Sequence, residues 1–413
     1  MVNIEEFKKL VNVRIVEKDG DFYCGNLNLA AKEGITELPD NLKVLGSLDL
    51  RQSGITKLPK GLEVEKSIDI SGTEIEELPE DTKFGLSLLI NNMKKPFSFP
   101  KVLNVNGYFD CRVTTIKRMP EEVYTKWGCD LVGSTFDKLP KVMEVGEGLF
   151  LYDTNTTELP ECIKNVYSDF NLHNTKVTKL NENLVVYMGL NLSNTLIEEL
   201  PKGLIVGNML ELCNTNLKDY SNLHKICSRF RVTEEKYKEI KDTLSKHSAI
   251  KTEWGDDILV TFEPTHNGAY LFENENGKYI KADNIFGKIV EQKGNVYHIQ
   301  LGKSEDITYL ITDGEGRWSH GYTLEKAKDD LIYKITDRDK SDYESLTLDN
   351  ELSFEDAIVC YRVITGACLF GTRDFIEHRL GENKKDKYTI KEIITLTKGE
   401  YGNESFRDFF CKG

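Results

Sequence analysis

The dipeptide Leu-Pro recurs along the first half of the chain at a nearly constant interval, and this periodicity limits the possible folds more than any other feature. Consecutive copies are 20 or 21 residues apart, and Phe, Met or Asn replaces one of the two residues in three of them. A fixed interval of this length is typical of a solenoid, in which stacked repeats share one continuous core. The copies begin at Leu38, Leu58, Leu78, Phe99, Met119, Leu139, Leu159, Leu180 and Leu200.

Each repeat also contains a short alternating segment, such as Leu48-Asp49-Leu50. Alternation indicates a β-strand whose apolar residues point inward and whose middle residue points outward. The segment after each proline is too short for a full helix, so we expect extended backbone on the outer side. A hydroxyl residue recurs six positions before seven of the nine proline positions, where we expect it to turn inward and satisfy backbone groups. These residues are Ser53, Thr73, Thr114, Ser134, Thr154, Thr175 and Thr195, continued by Thr215.

The repeat has a clear resemblance at the level of its residues. Residues 58–64 read Leu-Pro-Lys-Gly-Leu-Glu-Val, and residues 67–73 read Ser-Ile-Asp-Ile-Ser-Gly-Thr. This pattern resembles the short, 20-residue leucine-rich repeats of bacterial proteins, including type III secretion effectors, and repeat arrays of gut bacteria and their phages. The resemblance covers about half of the chain and implies a leucine-rich-repeat β-solenoid of about ten coils over residues 21–231. It indicates the fold and says little about function.

The rest of the chain divides by pattern into three parts. Residues 1–20 are predicted to form an N-terminal cap, and residues 232–249 a helix that covers the open end of the solenoid. From residue 250 to 413 we predict an α+β C-terminal domain. Its predicted strands cover residues 258–262, 269–272, 278–281, 295–301 and 307–311, and its predicted helices 323–335, 353–380, 389–397 and 404–410.

Two weaker resemblances lie in the C-terminal domain. Residues 309–316 (Tyr-Leu-Ile-Thr-Asp-Gly-Glu-Gly) and 319–327 (Ser-His-Gly-Tyr-Thr-Leu-Glu-Lys-Ala) look like the strand–Gly–strand–Gly-x-Thr–helix core of HicB-type antitoxins. That resemblance implies an RNA-linked regulator, although Gly321 and Thr323 would equally serve as a relaxed turn and a helix cap. Residues 360–368 and 401–403 resemble an uncharacterised domain of gut bacteria and prophages, which implies no function.

Composition and charge indicate which partners and which cellular compartment to expect. The net charge of −14, without a dense basic patch, argues against nucleic acid as a partner. No apolar stretch approaches the length of a membrane span, and the acidic start lacks the pattern of a secretory signal. The nine cysteines are odd in number and contain no Cys-x-x-Cys motif, which favours reduced thiols. We therefore predict a protein in the cytoplasm of a bacterial host, without a membrane partner.

A search for catalytic motifs predicts no enzyme, no cofactor and no metal site. None of the cysteines is followed two residues later by aspartate, the nucleophile motif of the ubiquitin ligases found in some leucine-rich effectors. The seven histidines show no paired metal-ligand spacing, and phosphate-binding glycine motifs are missing. Asp313 and His320 remain an alternative as the acid–base pair of a hydrolase, against the simpler interpretation of a turn aspartate and a strand-end histidine.

The strand alternation places two stripes of residues on the expected concave face, where solenoids usually bind their partners. The first half of these stripes is acidic, and two aromatic residues follow it, Phe150 and Tyr152, which we call the aromatic step. This order suits a protein partner with basic and apolar anchors. We therefore predict a non-catalytic protein-binding scaffold, one form of which is a phage protein that binds a host defence or regulatory factor. The structural alternative is that these Asp and Asn residues are ordinary solvated strand residues. The predicted binding residues are Asp49, Arg51, Asp69, Asp110, Arg112, Asp130, Phe150, Tyr152, Asn171, His173, Asn191 and Glu211.

Overall fold

In the computed structural model, residues 4–11, 13–244 and 249–411 are described. The chain forms two compact units, Met1–Phe262 and Glu263–Gly413. The sequence pattern predicts a second domain from residue 250, and the structure divides the chain after Phe262.

The first unit contains a parallel β-solenoid of about ten turns over residues 22–231, which confirms the predicted fold class. Its strands pair in register with the next repeat and form one long parallel sheet, called the main sheet from here on. The predicted third strand residue continues the ladder, as the Leu131 backbone N–H donates to the Phe150 carbonyl at 2.9 Å. The main-sheet strands of the solenoid are Leu27–Asn28, Leu48–Asp49, Ile68–Asp69, Leu88–Leu89, Phe109–Asp110, Cys129–Asp130, Leu149–Phe150, Phe170–Asn171, Leu190–Asn191, Ile205–Glu211 and Cys227–Thr233.

The segments after the Leu-Pro positions return along the opposite side of each coil as short parallel strands, so the predicted extended backbone is confirmed. Their apolar residues and those of the main sheet face each other, and Leu62, Leu131 and Leu192 are fully buried between them. The return strands are Leu42–Val44, Glu63–Val64, Lys83–Phe84, Val102–Val105, Glu122–Thr125, Val142–Val145, Asn165–Val166 and Val185–Val186. Two further short strands, Phe97–Ser98 and Ile116–Arg118, pair with each other.

The column of hydroxyl residues satisfies backbone carbonyls inside the solenoid, as the sequence predicts. Thr73 Oγ1 donates to the Ile70 carbonyl at 2.7 Å, and Thr195 Oγ1 donates to the Leu192 carbonyl at 2.6 Å. The residue before each hydroxyl has a positive φ, for example +67° at Gly72 and +55° at Asn174. Because only Gly and Asn enter this region at low cost, the conformation explains why they recur there.

Additional elements precede and follow the repeats. Helix Ile4–Leu10 comes first, and the hairpin Val16–Lys18 and Asp21–Cys24 joins the first return strand. After the 3₁₀ turn Leu223–Lys225 and the last parallel strand, helix Glu234–Leu244 packs on that strand, in the segment predicted to cap the solenoid. The antiparallel hairpin Ala249–Trp254 and Asp257–Phe262 extends the main sheet further, although the sequence assigned it to the second domain.

The second unit begins with a six-stranded antiparallel sheet in simple meander order. Four of its strands match the predicted ones closely, whereas the long strand from Ile285 was not predicted, because its polar second half lacks an apolar alternation. The strands are Tyr270–Asn274, Gly277–Ala282, Ile285–Lys293, Val296–Gln300, Ile307–Thr312 and Trp318–Gly321. The buried side chains of this sheet include Ile280, Tyr297, Ile299, Leu310 and Trp318.

Helices follow the sheet, and the predicted continuous helix over residues 353–380 is wrong. Gly366 ends its first part with a φ of +77°, and Cys368 caps a second helix. The helices are Leu324–Ile335, Phe354–Thr365, Leu369–Phe375, Ile390–Leu396 and Asn403–Phe410. Shorter elements are the 3₁₀ turns Ser341–Tyr343 and Gly381–Asn383, the π-helical turn Ile376–Leu380, and the strand pair Glu351–Ser353 and Lys387–Thr389.

The strand–turn–strand–helix pattern at residues 309–327 has direct packing reasons. Thr323 caps helix Leu324–Ile335 by accepting the Lys326 backbone N–H at 3.2 Å, as expected. A Cβ atom on Gly321 would lie 2.5 Å from the Ala327 nitrogen, so the helix approaches the strand too closely for any larger residue. The helix cap at Thr323 and the close approach at Gly321 explain the pattern by the needs of the fold alone. The relation to HicB-type antitoxins stays a prediction.

Candidate functional site

The predicted binding residues lie on the outward side of the main sheet, which we call the main-sheet face. Strand pairing places the middle residues of successive repeats directly beside one another, so they form an unbroken row. The structure therefore brings the predicted stripe together, and its role in binding stays a prediction. In chain order the row is Asn28, Asp49, Asp69, Leu89, Asp110, Asp130, Phe150, Asn171, Asn191 and Glu211.

Most Asp and Asn side chains of this row form a hydrogen bond within their own turn. The Asp69 side chain accepts the Ser71 backbone N–H at 3.0 Å, and Asn171 and Asn191 accept the corresponding N–H groups two residues ahead at 2.9 Å. This local bond ends each strand and holds the following turn. The recurrence of Asp and Asn therefore follows from the turn, and the positions that depart from it carry more information about binding.

The acidic first half of the row is largely compensated within the face. Arg51 binds Asp49 at 2.7 Å and approaches Asp69 at 3.4 Å. Hydrogen bonding to Arg51 lowers the pKa of Asp49, whereas burial raises the pKa of Asp69. Each such Asp–Arg–Asp cluster carries only one net negative charge, so the face attracts basic partners less than its composition suggests.

A second cluster of the same kind follows three repeats later. Arg112 makes two bonds of 2.8 Å to Asp110 and lies 3.7 Å from Asp130. Asn91 donates to Asp110 at 2.9 Å, and the Asp110 side chain is almost completely buried. Burial raises the pKa of Asp130. Asp110 is therefore a structural part of the face, and a partner has access mainly to Arg112.

The aromatic step breaks the pattern of turn-forming residues. Phe150 occupies the position that holds Asp or Asn in the neighbouring repeats, so it cannot make the local turn bond. Its half-buried ring lies over Gly148, where a Cβ atom would be 2.9 Å from the ring. Tyr152 and His173 are also half-buried at the surface. Trp127, in the connection that leads into strand Cys129–Asp130, is 44% exposed.

The strand alternation does not predict a role for Trp127, because that residue lies outside the two stripes. A large aromatic side chain that remains exposed at a position held by Gly46, Lys66 or Glu147 in other repeats is a usable signal. Towards the end of the row the Glu211 carboxylate pairs with Arg231. Between the second Asp–Arg–Asp cluster and Glu211, the middle residues of the row are thus aromatic or amide rather than acidic.

The second unit contains three neighbouring side chains whose atoms are able to bind a metal ion. One ligand atom each from Asp283, His320 and Cys368 lies within 4.8 Å of the other two. His320 is fully buried, and burial together with Lys334 lowers its pKa to about 3, so the ring is neutral at physiological pH. Burial raises the pKa of the Cys368 thiol, despite nearby backbone N–H groups.

Lys334 stands beside this group and is itself buried. Its ammonium group forms an ion pair with the Asp283 carboxylate and donates to the Trp318 carbonyl at 2.6 Å. It also lies 3.8 Å from the centre of the Tyr401 ring. Burial opposes the charge on Lys334, but the Asp283 carboxylate outweighs it and raises the pKa of Lys334.

The structure does not join Asp313 and His320 as the acid–base pair that the hydrolase alternative requires. The Asp313 carboxylate binds Arg317 at 2.6 Å and accepts backbone N–H groups of its own turn. These bonds lower the pKa of Asp313 although burial opposes them. Both ring nitrogens of His320 lack a hydrogen-bond partner among the described residues, so the two side chains are not coupled.

Two general features of the described chain concern membranes and disulfides. Within the residues that the structure covers, no helix has the length and apolar character needed to cross a membrane. All nine cysteines are free thiols.

Comparisons with known proteins found no match. No known family model matches the chain, and neither a curated protein nor a solved structure is significantly similar to it.

Proposed function

We propose that this protein is a non-catalytic scaffold that holds another protein on the main-sheet face of its solenoid. The observation that carries the proposal is the aromatic step, Phe150 with Tyr152 beside it, in a row whose Asp, Asn and Glu members are explained by turns or internal ion pairs. A half-buried aromatic ring provides a large contact area at little entropic cost, which is why such rings dominate binding energy at protein interfaces.

The chemistry of the face also indicates the kind of partner. The aromatic group, with Trp127 beside the strand that precedes it, favours an apolar anchor on the partner, and the neighbouring amides of Asn171 and Asn191 suit polar groups around it. The two Asp–Arg–Asp clusters contribute a weak negative charge that supports basic residues at the edge of such an anchor. The main-sheet face lacks a continuous row of basic side chains, so it fits nucleic acid poorly.

The proposed setting follows from the resemblance to short leucine-rich repeats of bacteria and phages. Free cysteines throughout the chain suit the reducing cytoplasm of a bacterial host. A host defence or regulatory protein is the partner we propose for a phage-encoded form.

Truncating the aromatic step is expected to abolish capture of the partner. The full chain with Phe150→Ala and Tyr152→Ala is compared with the wild type by affinity purification from the host lysate and quantitative mass spectrometry. Because hot-spot residues contribute about 2 kcal/mol or more each, recovery of the partner should fall at least about 30-fold.

Tyr124→Ala provides the matched control, since Tyr124 is a half-buried tyrosine on return strand Glu122–Thr125, on the other side of the coil. It should retain the partner, and circular dichroism should show that all variants are folded. Equal recovery by the wild type and the double variant would remove the main-sheet face as the binding site.

A further inference from the structure

Three segments that are far apart in sequence bring one donor group each to a single place in the second unit. Asp283 lies in the two-residue turn between strands Gly277–Ala282 and Ile285–Lys293, where it and Asn284 have φ values of +49° and +65°. His320 lies on strand Trp318–Gly321, and Cys368 is the N-cap of helix Leu369–Phe375. Their ligand atoms are all within 4.8 Å of one another.

The histidine gives independent evidence for a ligand. His320 has no exposed surface, and neither Nδ1 nor Nε2 has a hydrogen-bond partner among the described residues. A buried polar group is almost always hydrogen-bonded, because leaving it unpaired costs its full desolvation energy. The Phe370 ring, 5.7 Å away and nearly parallel, covers one side of the imidazole without supplying a partner. A metal ion bound to one ring nitrogen would give that nitrogen the partner it lacks.

The set of donors selects the type of ion. Thiolate, imidazole and carboxylate are the three ligand types of zinc sites, whereas calcium and magnesium use oxygen ligands almost exclusively. Zinc–ligand distances of about 2.0–2.3 Å require the three donors to come closer together, which small side-chain rotations can provide. Three protein ligands leave one position of a tetrahedral zinc ion for water.

A thiol catalytic triad is the competing interpretation of the same residues. In a triad the imidazole bonds both to the nucleophile and to the carboxylate that orients it. His320 makes neither bond, the Asp283 carboxylate pairs with Lys334, and the Cys368 sulfur accepts the Gly371 backbone N–H at 3.2 Å. The arrangement therefore favours metal binding over nucleophilic catalysis.

We propose that Asp283, His320 and Cys368 bind one Zn²⁺ ion, which ties the hairpin turn, the last strand of the sheet and helix Leu369–Phe375 together. Lys334 competes with the ion for Asp283, so the carboxylate exchanges its lysine partner for the metal when zinc binds. Zinc binding at this site does not rest on the proposed binding function.

The test uses the full-length protein after removal of metals with a chelator. Zinc content is measured by mass spectrometry after incubation and gel filtration, and Co²⁺ serves as a spectroscopic substitute. We expect one Zn²⁺ per chain, and with Co²⁺ a near-ultraviolet sulfur-to-cobalt charge-transfer band. Cys368→Ser keeps a helix-capping acceptor but should lose this band and bind zinc at least about 100-fold more weakly, since even outer-shell substitutions cost about 10–100-fold.

Cys360→Ser is the matched control, because Cys360 is another fully buried cysteine, which packs in the helical core of this unit. It should keep the band and the stoichiometry. Asp283→Asn is a second variant that retains a residue suited to the positive φ, and it should weaken zinc binding as well. No stoichiometric zinc in the wild type, or a band that persists in Cys368→Ser, would overturn the proposal.

Discussion

Replacing Leu131 or Leu192 by alanine is expected to lower the free energy of unfolding by about 2–5 kcal/mol. Both side chains are fully buried between the main sheet and the return strands. In a solenoid each repeat contacts mainly its neighbours, so a cavity at one position weakens two interfaces and has no distant elements to compensate for it. Urea unfolding followed by circular dichroism measures the loss.

Leu196→Ala is the control for these variants, because Leu196 lies in the same repeat as Leu192 but is 46% exposed. Its effect should stay within about 0.5 kcal/mol, as for most surface substitutions. An unfolding midpoint for Leu131→Ala equal to that of this control would show that the assigned repeat register is wrong.

Lys334→Met is expected to destabilise the metal-free second unit by about 3–5 kcal/mol, because it leaves the buried Asp283 carboxylate without its partner. The Lys334 side chain is only 2% exposed and that of Asp283 only 12%. The substitution also removes the bond to the Trp318 carbonyl. Thermal and urea unfolding in the presence of a chelator measure the effect, and Lys328→Met, an exposed lysine on the same helix, is the control.

The loss in Lys334→Met should depend on pH in a defined direction. Burial already raises the pKa of Asp283, and without Lys334 the folded state favours the protonated acid still more. Between the unfolded and the folded pKa the folded state then binds more protons, so stability falls as pH rises through that window. The deficit relative to the wild type should therefore be smaller at about pH 5 than at pH 7.5. A deficit that grows on acidification contradicts the assigned ion pair.

The solenoid was predictable because its physical causes repeat every 20 or 21 residues. A single Leu-Pro or a single inward threonine says little, but the Thr73 and Thr195 hydroxyls recur at the same place and bond carbonyls as expected. Strand Asp257–Phe262 was predicted at residues 258–262 but was assigned to the second domain, because it shows the same alternation as the strands there. Its partner strand Ala249–Trp254 was not predicted.

The candidate sites were less predictable for reasons that depend on tertiary structure. Arg51 pairs with Asp49 and Asp69 across neighbouring repeats and neutralises part of their negative charge. The sequence alone shows the acidic residues but not this pairing. Asp283, His320 and Cys368 share no short spacing, so motif rules for metal ligands could not find them. Only the fold of the second unit brings them within reach of one another.

Site-specific photo-crosslinking tests the binding role of the main-sheet face most directly. A benzoylphenylalanine residue in place of Tyr152 reports contacts on this face, and the same residue in place of Tyr124 reports contacts on the return strands. Both positions hold half-buried tyrosines, so the two probes are comparable. We predict a covalent adduct with one host protein from position 152 and none from position 124. Adducts formed from position 124 alone would contradict the proposed function.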